Sequence, residues 1–289
     1  MPALQRMLFP VDFSAQCEGS AHYVQAMAAA ARAQVTLLHV VNAAEYLFSA
    51  GELGGYVAND FYQVQRDKLK KQLDEFLVRE FPDAKRELWD GESGSRIVAY
   101  AHANDTDLIM MPTHGLGPFR RFLIGSITAK VLHDARCPVW TGVHMETAPP
   151  REIIDFKRIL CAVDLSAEAD AALRWAADFV AANGAKLSIV HAVPGVDTRP
   201  AKYLDAEFHA ELRRQARFEI EKLRTRVRAE DAGIILVDGE PAPAIREAAL
   251  DQAADLLVIA RGSAAEGFGR LRKHAYDIIR NAPCPTVSV

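Results

Sequence analysis

The sequence predicts an α/β protein of two tandem doubly wound (Rossmann-like) domains, each a five-stranded parallel sheet core flanked by helices. The first observation behind this is a duplication. Phe9-Pro-Val-Asp12-Phe-Ser14 returns as Cys161-Ala-Val-Asp164-Leu-Ser166, and Leu37-Leu-His39-Val as Ile189-Val-His191-Ala, both 152 positions later. The offset then slips slightly. Asp90-Gly-Glu92 matches Asp238-Gly-Glu240, Asp107-Leu-Ile-Met matches Asp255-Leu-Leu-Val, and Arg136-Cys-Pro138 matches Pro283-Cys-Pro285. A period of this length marks a duplicated domain, because solenoid repeats are far shorter. The second observation is that short β-rich runs alternate with helical patterns inside each copy, which is how successive βαβ units and a parallel sheet read.

In chain order, the first copy places strands at 6–12, 35–41, 84–90, 107–112 and 138–143, and the second at 157–164, 186–193, 233–239, 255–260 and 284–289. Ser14 and Ser166 follow the first strand of each copy as helix N-caps, and Asn183-Gly184 suits a helix C-terminus. The helix before the third strand runs through Phe61, Leu69, Leu73 and Phe76 until Pro82. Its counterpart over 203–228 carries Leu204, Phe208, Leu212, Ala216, Ile220, Leu223 and Val227 at spacings of three or four, one buried stripe of an amphipathic helix. Ala148-Pro-Pro150 is a short stiff linker. The domains are therefore 1–146 and 157–289, joined by 147–156.

Composition narrows the function classes. A net charge of −4, from 34 basic and 38 acidic residues, offers no global attraction to nucleic acid or an anionic membrane. The N-terminal residues lack a secretory signal, and no apolar run approaches a membrane span, so a cytoplasmic protein is expected. Cys17, Cys137, Cys161 and Cys284 form no C-x-x-C pair. Reduced, packed thiols are expected rather than a zinc or redox site.

Candidate chemistry gathers at the carboxyl ends of the strands, where open parallel sheets bind ligands. Asp12 ends strand one and His39-Val40 ends strand two. After strand four comes Gly115-x9-Gly125-Ser126, a loop of small residues opening a helix. Such a loop can turn several backbone N–H groups and the positive end of the helix dipole toward one oxyanion. Neither a G-x-G-x-x-G dinucleotide fingerprint nor a Walker loop is present. The other candidates read both ways. Asp12 and Asp164 suit acids, bases, Mg²⁺ ligands or structural caps. His39 and His191 suit catalysis or local hydrogen bonds, and Arg120 and Arg121 suit phosphate clamps or solvent. The nine histidines show no metal-binding spacing. No nucleophile, base and orienting group assemble, so catalysis is unsupported.

In this order, twice, these residues resemble the universal stress protein family, specifically its tandem-domain members. The resemblance rests on Pro10-Val-Asp12-Phe-Ser14, the Leu-Leu-His39-Val strand end, Thr113-His114-Gly115 followed by Gly125-Ser126, and the closing Cys137-Pro-Val strand. Family members with a G-x2-G-x9-G-[S/T] loop bind ATP, with adenine between the ends of strands one and two and phosphates on the loop. The resemblance implies a nucleotide-binding set of Pro10, Asp12, Val40, Met111, His114, Gly115, Gly125, Ser126, Ile127 and Thr128. Asp12 and Val40 face adenine and ribose, and the glycines with the start of the helix hold phosphate. The implied ligand is ATP or another adenine nucleotide, with or without Mg²⁺.

The first glycine of the motif is here Pro112, which contributes no N–H. The second copy departs further, with Ala162 for Pro10, Gly262-Ser263 for His114-Gly115, and Gly269-Arg-Leu-Arg-Lys-His-Ala275 where Gly-Ser should open the helix. That site is expected to be closed or changed. Arg270, Arg272, Lys273 and His274 are a solvated helix face or an anion site made of side chains. The expected function is an ATP-binding stress-response protein whose second domain is an intramolecular pseudo-dimer partner, paired through the final strands. The alternatives are a nucleotide-free scaffold for a protein partner and a slow ATPase. Homodimer formation stays open.

Overall fold

A computed structural model describes residues 4–42, 55–114, 124–194, 206–261 and 273–289. Gly115, Arg120, Arg121, Leu204, Gly262, Ser263, Gly269, Arg270 and Arg272 lie outside the described residues. The first repeat forms β1 (Arg6–Pro10), α1 (Ala15–Ala31), β2 (Gln34–Val41), α2 (Gly55–Glu75), β3 (Lys85–Asp90), α3 (Ser93–Ala103), β4 (Leu108–Pro112), α4 (Ser126–Asp134) and β5 (Val139–Gly142). Single 3-10 turns follow at Met145–Thr147 and Arg151–Ile153. The second repeat forms β6 (Arg158–Ala162), α5 (Ala169–Asn183), β7 (Lys186–Val193), α6 (Ala206–Val227), β8 (Gly233–Asp238), α7 (Pro241–Asp251), β9 (Leu256–Ile259), α8 (Lys273–Asn281) and β10 (Thr286–Ser288). Every expected strand is present, with ends unchanged or moved by at most two residues.

The chain divides into two compact units. One holds Leu4–Cys137 with His144–Ile154, the other Pro138–Val143 with Asp155–Val289. In the first, the parallel strands run in the order β3-β2-β1-β4, with Phe9 beside Leu37 and Met7 beside Leu108. Strand order reverses at β1, so the crevice opens between the carboxyl ends of β1 and β4. In the second, the order is β10-β9-β6-β7-β8, again parallel. A sixth strand, β5, joins this sheet antiparallel to β10, with Trp140 opposite Val287. Residues 138–143, the end of the first repeat in sequence, thus belong to the second unit. Thr141 Oγ1 donates to Thr286 O at 3.5 Å, Ser288 Oγ donates to Val139 O at 3.2 Å, and Trp140 is among the largest fully buried side chains.

The central strands are continuous apolar runs because helices cover both faces of a parallel sheet. Leu108, Ile109 and Met110 of β4 are fully buried, and so are their counterparts Leu256, Leu257 and Val258 of β9. Asp107 Oδ2 accepts the backbone N–H groups of Gln5 and Arg6 at 2.9 and 2.8 Å. Asp255 Oδ2 does the same for Lys157 and Arg158 at 3.0 and 2.8 Å. Each carboxylate ties the entry of its first strand to the entry of its fourth, satisfying two backbone donors. The recurrence of Asp107-Leu and Asp255-Leu in the sequence is this clasp.

Helix ends follow local chemistry with one correction. Ser14 caps α1, its hydroxyl accepting the Cys17 N–H at 3.2 Å, and Gly184 closes α5 in the left-handed conformation at φ 63°. Ser166 is not the cap of α5. That helix begins three residues later, with Glu168 at the N-cap, and the Ser166 hydroxyl is committed to Asp164 at 2.5 Å. The Pro149-Pro150 stretch is packed, not a free spacer. Pro149 O bonds His22 Nδ1 at 2.8 Å. A Cβ placed on Gly19 of α1 would lie 1.7 Å from Met145 O, so only glycine lets the 145–147 turn approach the helix.

Candidate functional site

The crevice of the first unit is a cavity of about 670 Å³ at the carboxyl ends of β1, β2 and β4. Its β1 side is a strained turn. Phe13 sits at φ 62°, a conformation that costs a bulky residue on the order of 1–3 kcal/mol and must be enforced by its surroundings. Two groups enforce it. Asp12 Oδ1 accepts Ser14 N–H at 3.0 Å and the Ser14 hydroxyl at 2.5 Å, closing a tight Asx turn. The Phe13 ring then packs on His39 at 4.6 Å and edge-on against Phe76 at 5.1 Å. With Oδ1 holding the turn, Oδ2 has no hydrogen bond among the described residues, and Asp12 lines the cavity.

His39 forms the adjoining wall. Its Nδ1 lies 2.7 Å from Val11 O. Burial holds the imidazole below its usual pKa although the Val11 carbonyl and Asp12 both pull it up. The ring is therefore neutral at pH 7, and with Nδ1–H donating to the carbonyl, Nε2 is left as an acceptor. His39 thus makes a local hydrogen bond and also lines the cavity.

The β4 side is the start of α4. Gly125 is its N-cap and makes no side-chain cap, so the cap itself leaves the first backbone N–H groups of the helix uncovered. Gly125 N–H donates to Thr113 O at 2.7 Å and the Thr128 hydroxyl to Pro112 O at 3.1 Å, which bolt the helix start to the end of β4. The fold itself does not require glycine here. Gly125 has φ −62°, and among the described residues a Cβ would meet nothing closer than 3.5 Å.

Of the residues named from the sequence, Pro10, Asp12, Val40, Met111, Gly125, Ser126, Ile127 and Thr128 line this one cavity. His114 is not among the lining residues; it is 7% exposed, with Nδ1 3.0 Å from Thr113 Oγ1. Gly115 lies outside the described residues. Thr128 lines the wall with its hydroxyl already bound to Pro112, so what it offers the cavity is backbone. Sequence reasoning passed over Asn42, Leu69, Ser93 and Ile97. Leu69 had been read only as core stripe. Ser93 opens α3 directly after the repeated Asp90-Gly-Glu92, and that repetition was the available signal. Glu92 caps this helix, its carboxylate accepting Gly94 and Ser95 N–H at 2.9 and 2.8 Å, and the Ser95 side chain first, then these backbone groups, hold its pKa below the usual value.

The second repeat keeps the scaffold and changes the lining. Leu165 repeats the strained turn at φ 60°, Asp164 Oδ1 accepts Ser166 N–H at 3.1 Å, and His191 Nδ1 lies 2.7 Å from Val163 O. The turn and the histidine are therefore structural devices common to both halves. By the Asp107–Asp255 correspondence, buried Arg261 takes the place of Thr113, and Lys273 that of Gly125. Elsewhere, Cys17 is buried and its thiol pKa is raised well above the usual value, chiefly by burial and then by Asp12; burial takes Cys161 and Cys284 up to about 12. Such thiols are inert packing groups. Among the described residues no helix is long and apolar enough to cross a membrane.

The sequence profile of the universal stress protein family matches residues 3–141 and again 155–289. The chain belongs to the universal stress protein family. It is a tandem two-domain member, because the profile matches twice. A universal stress protein of Thermus aquaticus is 37% identical over 141 residues, covering 46% of this chain and 98% of its own. Another, from Methanocaldococcus jannaschii, is 29% identical over 150 residues, covering 47% and 92%. Two solved structures share the fold along nearly the whole length. A universal stress protein from Archaeoglobus fulgidus has a TM-score of 0.71 at 21% identity, covering 98% of this chain and 97% of that one. A functionally unknown Pseudomonas aeruginosa protein has 0.64 at 16%, covering 100% and 93%. Universal stress protein domains are Rossmann-like, and here the domain is duplicated on a mostly parallel sheet.

Proposed function

We propose that the first unit binds an adenine nucleotide, ATP by the family resemblance, as an effector in a cytoplasmic stress response. In this reading the second unit is its intramolecular pseudo-dimer partner. One observation carries the proposal: an uncapped helix start at Gly125 and the outward Asp12 carboxylate share a single cavity. Gly125 supports it because the chain leaves room there for a side chain that is absent. Close approach of a ligand to backbone explains a glycine that the fold does not. The N–H groups at 126–128 and the helix dipole suit phosphate, while Asp12 and the neutral His39 suit the polar edges of a ribose or base. If Mg²⁺ accompanies the nucleotide, phosphate oxygens and Asp12 are its natural ligands.

Mass spectrometry of small molecules released from freshly purified protein is the first test, with about one equivalent of ATP or ADP expected. Gly125→Val places a branched side chain against the phosphate seat and is expected to abolish binding in titration calorimetry without altering the circular dichroism. Unchanged affinity in the folded variant rejects the site. Pro112 favours a second reading, a nucleotide-free scaffold for a protein partner, since it lines the cavity without an N–H. Failure of both purified and added ATP to bind supports that reading.

A further inference from the structure

The residue from the motif that stays out of the cavity, His114, sits under the helix start that the proposed site uses. Its Cα and Cβ lie 3.5 and 3.8 Å from where a Cβ on Gly125 would be. The preceding carbonyl, Thr113 O, holds Gly125 N–H at 2.7 Å. Pro112 O, Thr113 O and the His114 Cα are thus the seat of α4, and the His114 side chain is buried next to it with Nδ1 3.0 Å from Thr113 Oγ1. The 145–147 turn supplies the charges that act on this ring: Glu146 favours its protonation and His144 opposes it. These two also face each other at 3.9 Å, so Glu146 is shared. Burial acts more strongly than either and holds the imidazole below its usual value.

We infer that His114 is an acid-sensitive positioning residue: neutral, it seats the N-terminus of α4, and protonated, it brings a buried charge into that seat and loosens the nucleotide site. The release of nucleotide rests on the function proposed above; the unseating of α4 does not. The sign follows from linkage. A base with a lowered folded pKa leaves the native state with fewer bound protons than the unfolded chain, so the stabilisation is complete above 6.5 and is lost as pH falls through the folded value.

The test follows the His114 imidazole and the amides of 125–128 by NMR as pH is lowered from 8 to 5, in the full chain and in His114→Asn and His114→Gln. The expected result is that these amides shift with the titration of His114 in the wild type and stay fixed in both variants. ATP affinity, measured over the same range, is expected to fall by up to about tenfold per pH unit below the His114 pKa in the wild type, beyond the phosphate titration seen in the variants. Amides that ignore the titration overturn the inference even if ATP binds. Tighter ATP binding on acidification also overturns it, and makes His114 a phosphate contact. Amides that follow His114 while ATP fails to bind at any pH sustain the unseating of α4 and reject only the nucleotide reading.

Discussion

Two glycines in near-identical chemical settings, each at or inside a helix, carry opposite demands, and only coordinates separate them. Gly19 is fixed by its own protein. In a helix, alanine is favoured over glycine by about 1 kcal/mol, yet a Cβ here would overlap Met145 O at 1.7 Å. Forcing backbone apart costs about 1–3 kcal/mol or more, so Gly19→Ala is expected to destabilise by roughly 2 kcal/mol in urea titrations, and a stabilised variant would contradict the contact. Gly125 meets no such obstacle, so Gly125→Ala is expected to leave the urea midpoint within about 0.5 kcal/mol of wild type while weakening nucleotide binding. The sequence displayed Gly125 because its spacing matches a known loop. Gly19 was invisible there, because its partner lies far along the chain on a turn with no sequence signature. Asn42 and Ile97 were missed for the same reason: the crevice gathers them through sheet order, which adjacent residues do not encode.

At the scale of elements, strands were legible almost to the residue because parallel-sheet cores read as apolar runs between turn signals, and Ser14 and Gly184 marked helix ends correctly. Ser166 misled because its helix starts later, at Ala169 with Glu168 as the N-cap. Asp164 captures the Ser166 hydroxyl, as Asp12 captures that of Ser14, but only in the first repeat does the backbone then turn at once into helix. The third helices make a sharper contrast. Glu92 bonds two backbone donors of α3, whereas Glu240 makes no side-chain cap on α7, which begins with Pro241. Glu92→Ala is therefore expected to cost about 0.5–2 kcal/mol, toward the lower end because the carboxylate is solvent-exposed. The pH dependence has a definite sign. A carboxyl lowered in the folded state stabilises fully above its ordinary 4.5 and loses that contribution as pH falls below it. Wild type and variant should converge in urea midpoint on acidification, and a constant difference would exclude the capping carboxylate.

For the whole molecule, the repeat predicted two self-contained halves, and the strand assignment divides them differently. β5 lies in the second unit, antiparallel to β10, with Trp140 buried there. Pairing through the final strands came only from the family resemblance; the residues alone could not reveal it, because β5 and β10 occupy equivalent places in their repeats and either copy reads as complete. The expected consequence is measurable in fragments. Residues 138–289 should fold with a higher urea midpoint than 155–289, since removing a buried tryptophan alone costs about 3–5 kcal/mol. The shorter fragment should also self-associate through the bare edge of β10. Equal midpoints and a monomeric 155–289 would show that β5 contributes nothing.

The same strand sets an order of events during synthesis. Residues 139–142 leave the ribosome long before 286–288, the strand they pair with: Thr141 and Thr286 are 145 positions apart. For the whole interval Trp140 waits without its partner Val287, and the sheet of the second unit is incomplete until β10 has been made. A chain interrupted before residue 286 therefore leaves two unpaired strand edges, one on β5 and one on β9.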